Sequence, residues 1–478
     1  MSEPVIVRPL FLYEKILDTC LVGGYMKLDT PVELKVHHVV HALRMAKSEH
    51  PFLRMGIDEK SKCFVERPED DVSLDILEQL ADISTQQETW REKFLELGRQ
   101  KMDKNKTLFR ATFSNHDSAN SPSFSSSLFF FCNHSGTDGP SLLALCACIL
   151  KNLNTVLVAE KSNLPLPLLP HSRQFVDVLS KVPKDASLTH PPPDLPHEFI
   201  PPVSPEEVLS FSDEDKCSIR SQFVKLTKQE TECLVAHCHQ EGHTVQSALS
   251  VAGMMAVLRC SHGASAARLQ LLQDGGANYG ATFVNQVPAN MRSRVTTQQG
   301  EEERGGEGKA RDEVLTNEDC ACGSAAVWWR QELRQSTSLK EAAITAYREM
   351  RAAIERGDPI GWLGRINAGD FANIRPYTIM TSSVGVSPPY RNSAGENLIE
   401  VTDFWFLGSV EESSAKTSPG IMTHAYTFDG EMHLTFSYTS PHFTDSWGAL
   451  FIGEMRRTLG FFARGDTDVT VKSYLAMD

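Results

Sequence analysis

The sequence contains no unbroken apolar run of the ~20 residues that a membrane-spanning helix needs; its longest runs, such as 142–150, are less than half of that. No bilayer span is expected. The start, Met1-Ser2-Glu3-Pro4, lacks the basic and apolar regions of a secretory signal, which predicts a cytoplasmic location. Basic residues are in short supply, 47 Lys and Arg against 61 Asp and Glu, and the net charge is −14. With no Lys/Arg-rich face to offset it, that charge would repel a phosphate backbone, so a nucleic-acid partner is excluded. The eleven cysteines include no CxxC pair; the tightest spacings, Cys146/Cys148 and Cys320/Cys322, fit neither a zinc site nor a redox motif. Reduced thiols are expected, with Cys146 and Cys148 acting as small hydrophobes in an apolar helix. No internal repeat is visible.

What is present is an ordinary globular composition, 41% hydrophobic and 23% charged. The 478 residues exceed what one core usually supports, so two domains are expected. Residues 164–205, rich in proline and including Pro191-Pro192-Pro193 and Pro201-Pro202, read as an extended stretch with a helical piece around 173–182, and the connector between domains is placed at 181–210. It divides the chain into an N-terminal part, 1–180, and a C-terminal part, 211–478. Within the latter, 297–323 is almost free of apolar residues around the run 300–308 and reads as a disordered insertion.

Thr30-Pro31-Val32-Glu33 has the features of a helix start, and an apolar face at helical spacing runs from Val32 to Ala46, ending near His50-Pro51. Residues 108–113 and 128–132 read as an antiparallel strand pair, the second apolar on both faces and therefore buried. A helix is expected over 141–153. The C-terminal part reads as helices at 227–237 and 245–258, a strand at 281–287, a long helix at 325–356 and a hairpin at 426–438 with an Asp-Gly turn.

The segment His134-Ser135-Gly136-Thr137-Asp138-Gly139 lies between the buried strand and the apolar helix. An imidazole at the end of a strand can take a proton from an approaching hydroxyl near neutral pH. Gly136 and Gly139 would permit backbone conformations that other residues resist. Asp138 has two open roles, orienting His134 or pairing with a cation to fix the turn. Other chemistry-bearing residues are weaker. His37, His38 and His41 share a helix without an evident third ligand and read as a solvated face. Cys132 ends an apolar run, where a thiol is inert, and Trp328-Trp329 read as core.

With these pieces in order, the sequence resembles the chloramphenicol-acetyltransferase-like superfamily, which includes condensation domains, BAHD acyltransferases and alcohol acyltransferases. Arg8-Pro9-Leu10, His50-Pro51-Phe52-Leu53-Arg54, the HxxxDG segment 134–139, Val287 to Arg294, Thr381-Ser382-Ser383-Val384-Gly385 and the 426–438 hairpin carry the resemblance. It implies an α/β (α+β) fold of two subdomains, each a mixed sheet flanked by helices, with a tunnel between them. It further implies that His134 is the base, that Asp138 and Gly139 support the site, that Asp138 pairs with Arg292 across the two halves, and that Ser382 or Ser383 donates to an oxyanion. Asn133 stands where condensation domains usually carry a second histidine, and Asp403 to Gly408 answers the BAHD signature Asp-Phe-Gly-Trp-Gly only loosely.

The implied activity is direct acyl transfer, without an acyl-enzyme or a metal. Acyl-CoA, acetyl-CoA included, is the expected co-substrate, with no permanently bound cofactor. The acceptor is a hydroxyl of a small molecule, and the protein is expected to be a monomer in natural-product biosynthesis. Two alternatives stand beside this: an N-acyltransferase or condensation-type enzyme using a thioester on an acyl carrier protein, and a catalytically silent binding protein of the same fold.

Overall fold

The structure is a computed structural model, and it describes residues 5–66, 89–116, 123–169, 179, 217–260, 280–292, 321–369, 377–387, 396–411, 421–440 and 442–477. The proline-rich connector and all of the predicted insertion except its last three residues lie outside the described residues, as does the helical piece at 173–182 apart from Leu179. The chain groups into two compact units, Met1–Val182 with Asn290–Ser324 and Pro389–Glu412, and Pro183–Ala289 with Ala325–Pro388 and Ser413–Asp478. This differs from a single division at the connector, because two later segments return to the first unit.

In the first unit the strand β1 (Val5–Pro9) and the helix α1 (Leu12–Leu17) precede β2 (Cys20–Thr30), α2 (Val36–Glu49), β3 (Met55–Asp58) and β4 (Cys63–Glu66). Then come α3 (Thr89–Arg99), β5 (Phe109–His116), β6 (Phe124–Asn133) and α4 (Gly139–Lys161). One sheet has the order β1-β4-β3. The other runs β11-β2-β6-β5, where β11 (Glu400–Val410) is the returning strand, antiparallel to β2 from Glu400↔Asp29 to Val410↔Cys20. A strand pairing between residues so far apart leaves no local signal, which is why division at the connector separates them.

β6 is an inner strand, between β2 and β5. Phe129, Phe130, Phe131 and Cys132 are each at most 1% exposed, and β5 pairs with β6 as expected. After β6, α4 extends eight residues beyond the predicted end and is long and apolar enough to cross a membrane by composition. Two-thirds of that window is buried, and it packs on α2 and β2, as a core helix does. α2 starts later than its sequence suggests. Thr30 is still in β2, opposite Phe124, and its Oγ1 donates to the Val32 carbonyl rather than capping a helix.

The second unit holds β7 (Ser218–Leu226), α5 (Lys228–Gln240), α6 (Val245–Cys260), β8 (Gly280–Asn290) and β9 (Ser324–Arg334). It continues with α7 (Leu339–Glu355), α8 (Asp358–Asn367), β10 (Ile379–Ser387), β12 (Ile421–Phe428), β13 (Glu431–Ser440), α9 (Asp445–Arg464) and α10 (Val471–Leu475). Its sheet, β7-β13-β12-β10-β8-β9, is mixed, since β10 runs parallel to both β12 and β8. α6 is buried along nearly its whole length among α7, α9 and β10.

The helix predicted at 325–356 is two elements. Its first part is β9, where Trp329, Gln331 and Leu333 point inward and Arg330, Glu332 and Arg334 outward, a period of two. The helix begins after Ser338, whose hydroxyl accepts from the Glu341 amide while Glu341 bonds back to the Ser338 amide. Trp328 and Trp329 are buried, as expected. The predicted hairpin is β12–β13, with positive φ at Asp429 and Gly430, the conformation that favours Asp-Gly in a two-residue turn.

Candidate active site

Because β6 ends at Asn133 and α4 begins at Gly139, residues 134–138 form a turn from a buried strand into a helix. The His134 amide donates to the Cys20 carbonyl at 2.8 Å, which extends the β2–β6 pairing by one residue and fixes the root of the side chain. The ring is half-buried, and its Nδ1 lies 2.7 Å from the Thr137 carbonyl. A carbonyl oxygen can only accept, so Nδ1 carries the proton and the neutral ring keeps its lone pair on Nε2. Among the described residues Nε2 makes no hydrogen bond. Burial pushes the His134 pKa below its ordinary value, opposed by the Asp138 charge and by main-chain contacts at His134 and Thr137. The ring is thus held neutral, one tautomer, with one basic nitrogen unoccupied.

Asp138 does not touch that ring through a hydrogen bond. It is the N-cap of α4, its Oδ1 accepting from the Ser141 amide at 3.1 Å and the Ser141 hydroxyl at 2.8 Å. Arg292 meets both carboxylate oxygens, Nη1 to Oδ2 at 2.8 Å and Nη2 to Oδ1 at 2.9 Å, and the Gly323 amide donates to Oδ2 at 2.9 Å. Arg292 Nη2 also donates to the Ser141 hydroxyl and the Ala321 carbonyl, both at 2.7 Å. Both charged side chains are at most 3% exposed. Burial alone would raise the Asp138 carboxyl, but the Arg292 charge and the bonds from Arg292 and Ser141 outweigh it and hold the group below its usual range. Of the two roles left open by the sequence, the geometry gives Asp138 the cation. Arg292 belongs to the same unit as Asp138, so the pair lies within the first unit rather than across two halves.

Two further residues differ from expectation. Neither Gly136 nor Gly139 has a positive φ. Gly136 is required for space: a Cβ there would sit 2.2 Å from Cε2 of Phe52, which is wholly buried in the turn after α2. Gly139 is simply the first residue of α4. Of the supporting residues Phe52, Ser141, Thr137 and Gly323, only Ser141, three residues after the cap, has a readable signal in the sequence.

Cys132 is fully buried, and desolvation pushes its thiol well above the usual value, so it is not a nucleophile. All ten described cysteines are free thiols. Ser382 is half-buried and Ser383 exposed on β10 of the second unit, where the Ser383 amide donates to Gln246 Oε1 at 2.9 Å. His37 and His38 are not a simple solvated face. His38 is 1% exposed with its Nε2 against the Glu160 carboxylate, and ligand atoms of His37, His38 and Glu160 lie within 4.8 Å of one another. However, His38 Nδ1 accepts the Lys35 amide at 3.1 Å, so the neutral ring carries its proton on Nε2, toward Glu160, and offers a metal no lone pair there. His41 is apart, its Nε2 2.8 Å from the Pro167 carbonyl.

The second unit contains another histidine beside a hydroxyl and a carboxylate. His243 Nδ1 lies 3.3 Å from Ser247 Oγ and from the Thr244 carbonyl, and its Nε2 lies 3.4 Å from Glu241 Oε2. Ser247 and Thr244 cap α6 reciprocally through their hydroxyls. The His243 side chain has no exposure.

Comparison with protein-family models and with curated proteins gives no match. Among solved structures, the chain is similar over 97% of its length to polyketide synthase associated protein 5 from Mycobacterium tuberculosis, covering 99% of that chain at 11% identity and a TM-score of 0.64. TRI3 trichothecene 15-O-acetyltransferase from Fusarium sporotrichioides gives 0.63 at 12% identity, with 95% of each chain covered. The first condensation domain of the calcium-dependent antibiotic synthetase gives 0.62 at 13% identity, over 98% of this chain and 99% of that one. The chain therefore has the α/β fold of these structures, condensation domains and TRI3 acetyltransferase among them.

Proposed function

We propose that the protein is an acyltransferase that moves an acyl group from a CoA thioester to a hydroxyl of a small molecule, with His134 as general base. The observation that carries this is the Nδ1 contact with the Thr137 carbonyl, which leaves Nε2 basic and, among the described residues, without a hydrogen-bond partner. In the step we infer, Nε2 takes the acceptor's proton as the oxygen attacks the thioester carbonyl. The tetrahedral intermediate collapses, the carbon–sulfur bond breaks, and the thiolate recovers the proton from the imidazolium. The ester and free CoA thiol leave, and the ring is neutral again. The Asp138–Arg292 pair takes no part in proton transfer; it holds the turn. The oxyanion donor implied by the resemblance is Ser382 or Ser383, and alanine at each in turn distinguishes them.

The fold supports acyl transfer as a class, since TRI3 is an O-acetyltransferase and other similar structures are condensation domains. The test is mass spectrometry of an acceptor panel, alcohols and amines, incubated with acetyl-CoA and longer acyl-CoAs, beside His134→Ala. New ester masses with the wild type alone are expected. Amide products, or turnover only with a carrier-bound thioester, would replace the acceptor or the donor in this reading; equal turnover by folded His134→Ala would remove the base.

A further inference from the structure

The residue just before His134 makes more hydrogen bonds than its place at a strand end requires. Asn133 is wholly buried. Its amide donates to the Leu108 carbonyl and its side-chain Nδ2 to the Asp18 carbonyl at 2.7 Å. Oδ1 accepts the Ser135 amide at 3.0 Å and the Ser135 hydroxyl. The main-chain carbonyl accepts the Thr137 hydroxyl at 2.9 Å and the Gly136 amide at 3.4 Å. One residue thereby reaches every position from 135 to 137.

The far end of the clamp is itself fixed. The Asp18 carbonyl that receives Asn133 also receives Lys104 Nζ at 2.8 Å, and the same ammonium meets Asp18 Oδ1 at 2.9 Å. Lys104 is 5% exposed, so this is an interior anchor rather than a surface pair. A primary amide suits the position because it presents a donor and an acceptor on adjacent atoms: the donor faces a carbonyl on one side, the acceptor faces an N–H and an O–H on the other. Aspartate would place an acceptor against the Asp18 carbonyl, and alanine would leave that carbonyl with Lys104 alone and the Ser135 amide and hydroxyl without this acceptor.

We infer that Asn133 is a positioning residue for His134: it holds the turn so that the Thr137 carbonyl stays against Nδ1 and the imidazole stays in the tautomer with a bare Nε2. The part of this inference that concerns rate rests on His134 being the base; the part that concerns the tautomer does not.

The experiment is 15N–1H correlation of the histidine side chains in the full chain, assigned to His134 by its disappearance in His134→Ala. The wild type should show a protonated Nδ1 and an unprotonated Nε2. Asn133→Ala should show the two nitrogens averaged toward each other, with kcat lower by about tenfold or more and little change in KM. A folded Asn133→Ala that keeps the wild-type tautomer overturns the inference. Should that variant fail to fold, Ser135→Ala removes only the hydroxyl bond to Oδ1. A shift toward a mixed tautomer there supports the clamp, and an unchanged tautomer overturns it. Turnover by His134→Ala, measured alongside, separates failure of the base from failure of the clamp.

Discussion

His134 and His243 are each set beside a helix start, with different neighbours and opposite prospects. His243 has the composition of a hydrolytic triad, a serine on one nitrogen and a glutamate on the other, yet both nitrogens are occupied and the ring is sealed. Ser247 Oγ donates to the Thr244 carbonyl at 2.6 Å, so its proton is spent on a helix cap. Among the described residues His134 has neither hydroxyl nor carboxylate bonded to its ring, only one carbonyl, and for that reason retains a free basic nitrogen. A base is marked by the nitrogen left over, not by the residue types around it.

The largest expected effect breaks the comparison at its first member. His134→Ala should lower transfer by about 10²–10⁴-fold in steady-state kinetics with an unchanged melting curve. His243→Ala should do the reverse, leaving turnover intact and lowering stability by about 1–3 kcal/mol in denaturant titration. Equal kinetic loss in the two would erase the distinction. Next, Arg292→Ala should cost about 3–5 kcal/mol, because it strands a buried carboxylate. Pairing it with Asp138→Asn should cost less than the sum of the single changes, which a double-mutant cycle reads directly.

Gly136→Ala should cost about 1–3 kcal/mol, since the Phe52 ring has to move; its kcat should fall as well if the turn moves with the ring. The smallest effect is a pH profile. With the His134 pKa depressed, kcat/KM should stay level as pH falls through ~6.5 and drop only below it. The unfolded ring takes up its proton first, so stability is lost as pH falls below ~6.5 toward the folded pKa, and His134→Ala should flatten that slope. A kinetic midpoint above 6.5 would contradict the burial of this ring.

Much of this was legible where signals are local. The buried strand, the apolar helix after it and the hairpin turn follow from periodicity and turn chemistry within a few residues. β9 reads as helix in the sequence because Ala325, Ala326, Val327 and Trp328 are apolar without a break, which suits a buried strand and a helix equally well. α2 begins later than the capping chemistry of Thr30-Pro31 suggests because the β2–β6 pairing keeps Thr30 in the strand. The turn's own support was hidden for a different reason: a main-chain carbonyl at Thr137, an amide at Gly323 and a space in front of Phe52 are properties of the fold, with no residue type to announce them. Arg292 was found only through the resemblance.

The ion pair that closes the turn joins residues 154 positions apart. At the usual ~5–20 residues per second of synthesis, Arg292 is made about 8–30 seconds after Asp138. For that interval the N-terminal strands and α4 can be assembling around a carboxylate that has no guanidinium, and burial of an unpaired charge opposes closing the turn. The His134 loop is therefore among the last parts of its unit to set, and a nascent chain stalled before Arg292 should hold a folded β2–β6 pair beside an open, unset turn.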